Sequence, residues 1–195
     1  MAFVAFLDAC VLYPAALRDV ILSIAEAGIC QIRWSPDVLD EMERNVGNRA
    51  KAKSLKAARA GAKYVRSEME NAFPDAMVPR KMYEMLIPTM PNEEKDRHVL
   101  AAAIVARADV LVTANLKDFR FDPEFATIDV QHPDKFLCHQ LELSPDAFFA
   151  TLEDLASQRH EPMNTVEGIL NSLVKTVPEF SRKALEMYEG HSQSD

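Results

Sequence analysis

Asp96-Arg97-His98-Val99-Leu100-Ala101-Ala102-Ala103-Ile104, then Val110-Leu111-Val112, then Thr113-Ala114-Asn115-Leu116-Lys117-Asp118-Phe119 is the stretch that decides the fold class. An acid opens a helix expected to end near Ala108. Three apolar residues then make a short buried strand, and a polar turn carrying a second acid follows it. Upstream, residues 2–7 form an apolar run with no helical stripe, stopped by Asp8, and read as another buried strand. Leu17, Val20, Ile21, Ile24 and Ala25 recur at three and four, an amphipathic helix that Gly28 closes. Ile29 to Trp34 reads as a second strand. Ser35 suits an N-cap and Pro36 the first helical position of the next helix. A longer helix is expected from about Ala50 to Ala72, ending before Pro74. Residues 73–92 carry four prolines and are expected to be a loop with a brief helix. Ala126-Thr127-Ile128 is a candidate for one more strand. Alternating helices and strands predict βαβ units and an α/β parallel sheet flanked by helices.

After about residue 133 the pattern changes. Pro133 to Leu141, Pro145 to Gln158, Val166 to Val174 and Glu179 to Tyr188 each read as helix, with no strand signal between them. The expected organisation is a catalytic domain over 1–132 and a C-terminal helical extension or subdomain over 133–195.

The 195 residues can bury one substantial core, and 48% apolar with 27% charged residues describe an ordinary globular protein. Cys10, Cys30 and Cys138 fit neither a zinc pattern nor a disulfide framework. A run of apolar residues at the N-terminus lacks a basic lead and contains Asp8, so it does not read as a signal peptide. No stretch approaches a membrane span, and a cytoplasmic location is the expectation. The net charge of −8 argues against broad affinity for polyanions. From Arg44 to Arg66, however, eight basic residues occur with no acid among them.

Four acids fall where an open parallel sheet would gather them. Asp8 ends the first strand, Glu41 lies on the border of a helix face formed by Val38, Leu39, Met42 and Val46, Asp96 opens a helix, and Asp118 follows the strand at Val110. Strand C-termini and the following helix N-termini share one edge, where such folds place their ligand sites. Converging carboxylates repel unless a cation neutralises them, and hard oxygen ligands suit Mg²⁺ or Mn²⁺. No Gly-rich phosphate loop follows Asp8, which excludes a nucleotide cradle of that kind. Taken singly each acid has a plain structural role, as turn residue, cap or solvated face. Asp37, Asp40 and Glu43 read as such a face. The pattern points to a metal-dependent phosphodiester hydrolase through the four together.

The strand ending in Asp8, the helical Glu41, the Asp96 helix and Thr113 to Phe119 resemble a PIN domain, nearest the VapC-like toxins of bacterial toxin–antitoxin modules. His132-Pro133-Asp134-Lys135-Phe136-Leu137 is similar to the segment that follows the PIN core in one long-form branch of these proteins. The resemblance implies a Mg²⁺- or Mn²⁺-dependent endoribonuclease acting on RNA, leaving a 5′-phosphate and a 3′-hydroxyl. It also implies a cognate antitoxin, a small DNA-binding protein, as partner, and leaves a homodimer open. It places metal ligands at Asp8, Glu41 and Asp96. Many relatives have Asp where this chain has Asn115, so either Asp118 supplies the fourth charge or Asn115 coordinates as a neutral oxygen. Thr113 and Asn115 are candidates to orient water or phosphate. Cys10 also departs from the small polar residue of relatives and is read as packed.

Arg49, Lys53, Lys56, Lys63 and Arg66 trace one helical stripe, a candidate surface for RNA phosphates or an acidic antitoxin segment, and equally the solvated face of an amphipathic helix. Two other classes stand beside the ribonuclease reading. One is a structure-specific DNA nuclease; the other is a catalytically degenerate module that binds nucleic acid or protein, for which Asn115 is the one hint.

Overall fold

The computed structural model describes residues 3–49, 55–122, 124–125 and 128–192. Val4–Leu7 (β1), Gln31–Arg33 (β2), Val110–Val112 (β3) and Asp129–Gln131 (β4) pair in one sheet, in the order β2-β1-β3-β4, with every pair parallel. β1 and β3 lie at its centre because they can. Ala5, Phe6, Leu7 and the whole of Val110-Leu111-Val112 are fully buried, as a strand covered on both faces must be. Each such Val, Leu or Phe contributes roughly 1.5–3 kcal/mol by leaving water.

The chain leaves β1 for one side of the sheet and leaves β3 for the other. The strand order therefore reverses between these two neighbours, and the C-terminal ends of such a pair are where open α/β sheets place their ligand sites. Leu7 pairs with Val112, so the two strands end level, and Asp8 N donates to Val112 O at 3.1 Å.

Two compact units divide the chain. The first comprises the residues up to Pro14 and Gln31–Gln131; the second comprises Ala15–Cys30 and the residues from His132 onward. Around the sheet of the first unit lie Ala9–Leu12 (α1), Pro36–Arg49 (α3), Leu55–Ala72 (α4) and Arg97–Val105 (α5); Ala15–Glu26 (α2) belongs to the second. Ser35 caps α3 as expected, its Oγ accepting from Val38 N at 3.3 Å. Val38, Leu39 and Met42 form the buried face of that helix.

Pro133–Leu143 (α6), Pro145–Ser157 (α7), Val166–Leu173 (α8) and Pro178–Ser192 (α9) complete the second unit. Its core is built from the apolar stripes of these helices and α2, with Phe148 against Phe180 at a centroid distance of 5.6 Å. Gly28 follows α2 at φ 77, a left-handed position that glycine takes without strain. Gly168 is needed for space: a Cβ there would stand 1.8 Å from Pro162 O.

Several expectations need correction. The last strand among the described residues is Asp129–Gln131; of the expected Ala126-Thr127-Ile128, Ile128 lies just before it, and Ala126 and Thr127 fall outside the described residues. Two of the strand's three residues are polar, with Asp129 accepting from Gln131 Nε2 at 2.6 Å, so apolar content pointed too early. Helix α5 stops at Val105, where Arg107 turns the chain at φ 51. The Ala50–Ala72 helix is seen over Leu55–Ala72, residues 50–54 lying outside the described set. Residues 73–92 hold three single 3-10 turns, and Trp34 bridges in parallel to Met77 through Trp34 N to Ala76 O at 3.0 Å and Val78 N to Trp34 O at 2.9 Å. The acids flanking Glu41 face solvent to differing degrees and also carry ion pairs and hydrogen bonds within the chain. Asp37 accepts from Arg80 and Tyr83, while Asp40 and Glu43 accept from Arg66.

Candidate active site

Asp8, directly after β1, is only 4% exposed. Its Oδ1 accepts from Ala9 N at 2.6 Å, and its Oδ2 accepts from Thr113 Oγ1 at 2.7 Å. Thr113 follows β3 and is fully buried, so the hydroxyl ties the ends of the two central strands together. Asn115 N donates in turn to Thr113 Oγ1 at 3.0 Å, but Asn115 itself is exposed.

Cys10 joins the same network. Its thiol donates to Asp8 Oδ2 at 3.1 Å, accepts from Ala114 N at 3.1 Å and stands 3.4 Å from Thr113 Oγ1. Burial, helped by the charge of Asp8, pushes the thiol up to about 12, so it remains a neutral donor. This is more than the packing role expected of it.

Asp96 ends a 3-10 turn, Glu94–Asp96, and sits at the N-cap of α5. Its side chain makes no capping hydrogen bond, so hydrogen-bonded capping does not account for an acid at that place. Burial, together with the negative charges of Asp8, Asp118 and Glu41, raises its carboxyl to about 6 against the pull of Lys95. The four sequence-selected acids therefore share one electrostatic neighbourhood, and Asp96 is where it is felt. Its Oδ2 is buried with no hydrogen-bond partner.

Asp118, on the 3-10 turn Leu116–Phe119, is buried at 8% exposure and accepts from Lys95 Nζ at 3.0 Å. Glu41 is half-buried on α3. Asp118, not the exposed Asn115, is thus the buried group beside Asp96. Lys95 and the Cys10 thiol are the site residues that sequence reasoning missed. The one available signal was a lone basic residue inside Glu93-Glu94-Lys95-Asp96.

The donor set suits a hard divalent cation: carboxylate oxygens, a hydroxyl, and one buried carboxylate oxygen still without a hydrogen bond. As the side chains stand, no group of three or more His, Cys, Asp or Glu among the described residues is arranged to hold a metal ion. The oxygens of Asp8 and Asp118 are engaged by Ala9, Thr113, Cys10 and Lys95 instead.

A family model described as "PIN domain" matches residues 4–117. The chain belongs to the PIN domain family. A second model, the VapC50 C-terminal domain, matches residues 133–186. Over 111 residues the chain is 40% identical to the protein of Mycobacterium tuberculosis (strain ATCC 25618 / H37Rv) named "Putative ribonuclease VapC50". That alignment covers 56% of this chain and 66% of the relative, just under two thirds of its length. No solved structure matches. In this PIN chain the segment 4–117 contains Asp8, Glu41, Asp96, Thr113 and Asn115, and Asp118 is the next residue beyond it.

The structure describes the basic stripe only in part. Lys56 and Lys63 on α4 are exposed. Arg66 is engaged within the chain by Asp40, by Glu43 at 3.4 Å and by Glu70 at 3.0 Å. Arg49 is the last residue of α3, and Lys53 lies outside the described residues. No helix among the described residues is long and apolar enough to cross a membrane.

Proposed function

We propose that this chain is a metal-dependent endoribonuclease of the VapC toxin type, acting on RNA with Mg²⁺ or Mn²⁺ and held in check by a cognate antitoxin. The observation that carries the reading is the Asp96 carboxyl, raised by burial and by Asp8, Asp118 and Glu41 at the switch point of a PIN-domain sheet. The name of the 40% identical relative supports RNA over DNA as substrate.

Asp8, Asp96 and Asp118 would hold the cation, with Glu41 completing the set directly or through water. Bound there, a divalent ion supplies Lewis acidity and lowers the pKa of a coordinated water. The protein does the rest. Thr113 Oγ1 and the Cys10 thiol fix Asp8 Oδ2, so that carboxylate is oriented before any ligand arrives. The fully buried Leu7 and Val112, next in sequence to Asp8 and Thr113 respectively, put apolar core beside these groups, which strengthens charge interactions there. No serine or histidine nucleophile is required.

Cleavage of single-stranded RNA and DNA, with Mn²⁺ and with chelator, tests this. RNA should be cut only with metal, and Asp8→Asn should abolish cutting while the circular dichroism spectrum stays native. Asp8→Asn also loses acceptor capacity for Thr113 and Cys10, so metal-free stability is read on Asp96→Asn, where losing a carboxylate relieves repulsion and stability should hold or rise. Metal-independent cleavage, or a fully active Asp8→Asn protein, contradicts the proposal. DNA cleavage without RNA cleavage favours the DNA-nuclease class.

A further inference from the structure

The acidic cluster already holds a cation of its own. Lys95 Nζ donates to Asp118 Oδ2 at 3.0 Å and stands 3.6 Å from Asp96 Oδ2. The two carboxylate side chains are 10% and 14% exposed, whereas that of Lys95 is 67% exposed. The lysine thus reaches from water onto two buried acids. Its flexible, strongly hydrated ammonium can leave again by rotation of its stem. The Asp96 contact is long for an ion pair, and the same Asp96 oxygen accepts no hydrogen bond.

We propose that Lys95 is a positioning residue that serves as a resident counter-ion. It holds Asp96 and Asp118 together in the metal-free protein and swings out when a divalent cation takes these carboxylates. The inference rests on the metal-site reading above. Lys95 occupies the space between the two oxygens that a shared cation would need, so metal affinity is a difference: coordination gained minus ion pairs given up. Exposed ion pairs are weak, so the competition is modest and easily reversed. It offers a physical reason why the side chains are not arranged around a metal as they stand. The ammonium, not a void, separates them.

Mn²⁺ titrated by calorimetry at pH 8, where Asp96 is ionised, into wild type, Lys95→Met, Lys95→Gln, Lys95→Arg and Asp96→Asn tests the inference. Thermal unfolding in chelator provides a second readout. Lys95→Met and Lys95→Gln should bind Mn²⁺ roughly three- to tenfold tighter, the span that one or two exposed ion pairs allow. Both should unfold at a lower temperature without metal. Lys95→Arg keeps the charge and should resemble wild type in both readouts. A merely structural lysine would do the opposite, since its loss would loosen the acids and weaken metal binding. Unchanged or weaker Mn²⁺ affinity in the neutral variants, with wild-type binding that Asp96→Asn abolishes, overturns the role of Lys95 and leaves the metal site standing. No Mn²⁺ binding by wild type, or equal binding by Asp96→Asn, overturns both.

Discussion

Asp96 takes up a proton on folding more readily than a free aspartate, because it is buried among like charges and its carboxyl is raised to about 6. Between the ordinary aspartate value of about 4 and that level, the folded state binds more protons than the unfolded one. Metal-free stability should therefore fall as pH rises through this window. Mn²⁺ binding, which needs the ionised carboxylate, should strengthen over the same window. Melting temperatures between pH 4 and 8, with and without Mn²⁺, check this; Asp96→Asn should lack both trends, and parallel profiles for the two proteins would contradict it. Cys10 makes a second prediction at this scale. Cys10→Ser keeps a donor for Asp8 and an acceptor for Ala114 and should retain most activity. Cys10→Ala removes one of the two donors to Asp8 Oδ2 and the acceptor of Ala114 N, and should cost about 0.5–1.5 kcal/mol in kcat/KM, read from steady-state cleavage. The acids were legible in the sequence because residue type and position after a strand announce them. The roles of Cys10 and Lys95 were not, since Ala114 is 104 positions from Cys10 and Asp118 is 23 from Lys95. Such contacts exist only once the sheet has formed.

Helices carry the next set of consequences. Asp134, in the first turn of α6, accepts from Phe180 N at 2.7 Å and Glu179 N at 3.1 Å, and so caps α9 from another helix. Asp134→Ala should lower stability by about 0.5–2 kcal/mol, the usual worth of a helix cap, with RNA cleavage by the folded protein unchanged. Denaturant unfolding beside a cleavage assay measures both. On α4, Lys56 and Lys63 are the described members of the basic stripe that remain exposed, while Arg66 clamps α4 to α3 through Asp40 and Glu43. If the stripe contacts RNA phosphates, Lys56→Gln with Lys63→Gln should weaken RNA binding and flatten its salt dependence, with cleavage at saturating RNA near the wild-type rate. Unchanged RNA affinity with lost antitoxin binding would assign this helix to the partner. The helices were legible because apolar periodicity and caps are local signals. Strand β4 and the Trp34–Met77 bridge were not, because polar strand residues and a proline-rich segment pair only through partners distant in sequence.

At the scale of the whole molecule, the parallel order β2-β1-β3-β4 explains why four acids from separate segments meet: the strand order reverses between β1 and β3, and Asp8 and Thr113 leave from their level ends. Alternating helix and strand signals made the sheet readable, but not the grouping of Ala15–Cys30 with the residues from His132 onward, which depends on which helix faces meet. On the proposed function, the carboxylates at this switch point hold the cation for RNA cleavage. An anomalous difference map from a crystal soaked in Mn²⁺ tests it most directly. A peak is expected at coordination distance, about 2 Å, from oxygens of Asp8, Asp96 and Asp118, with Glu41 bound directly or through water and Lys95 moved off Asp118. A map whose Mn²⁺ lies away from these carboxylates, at a concentration that supports RNA cleavage in solution, would contradict it.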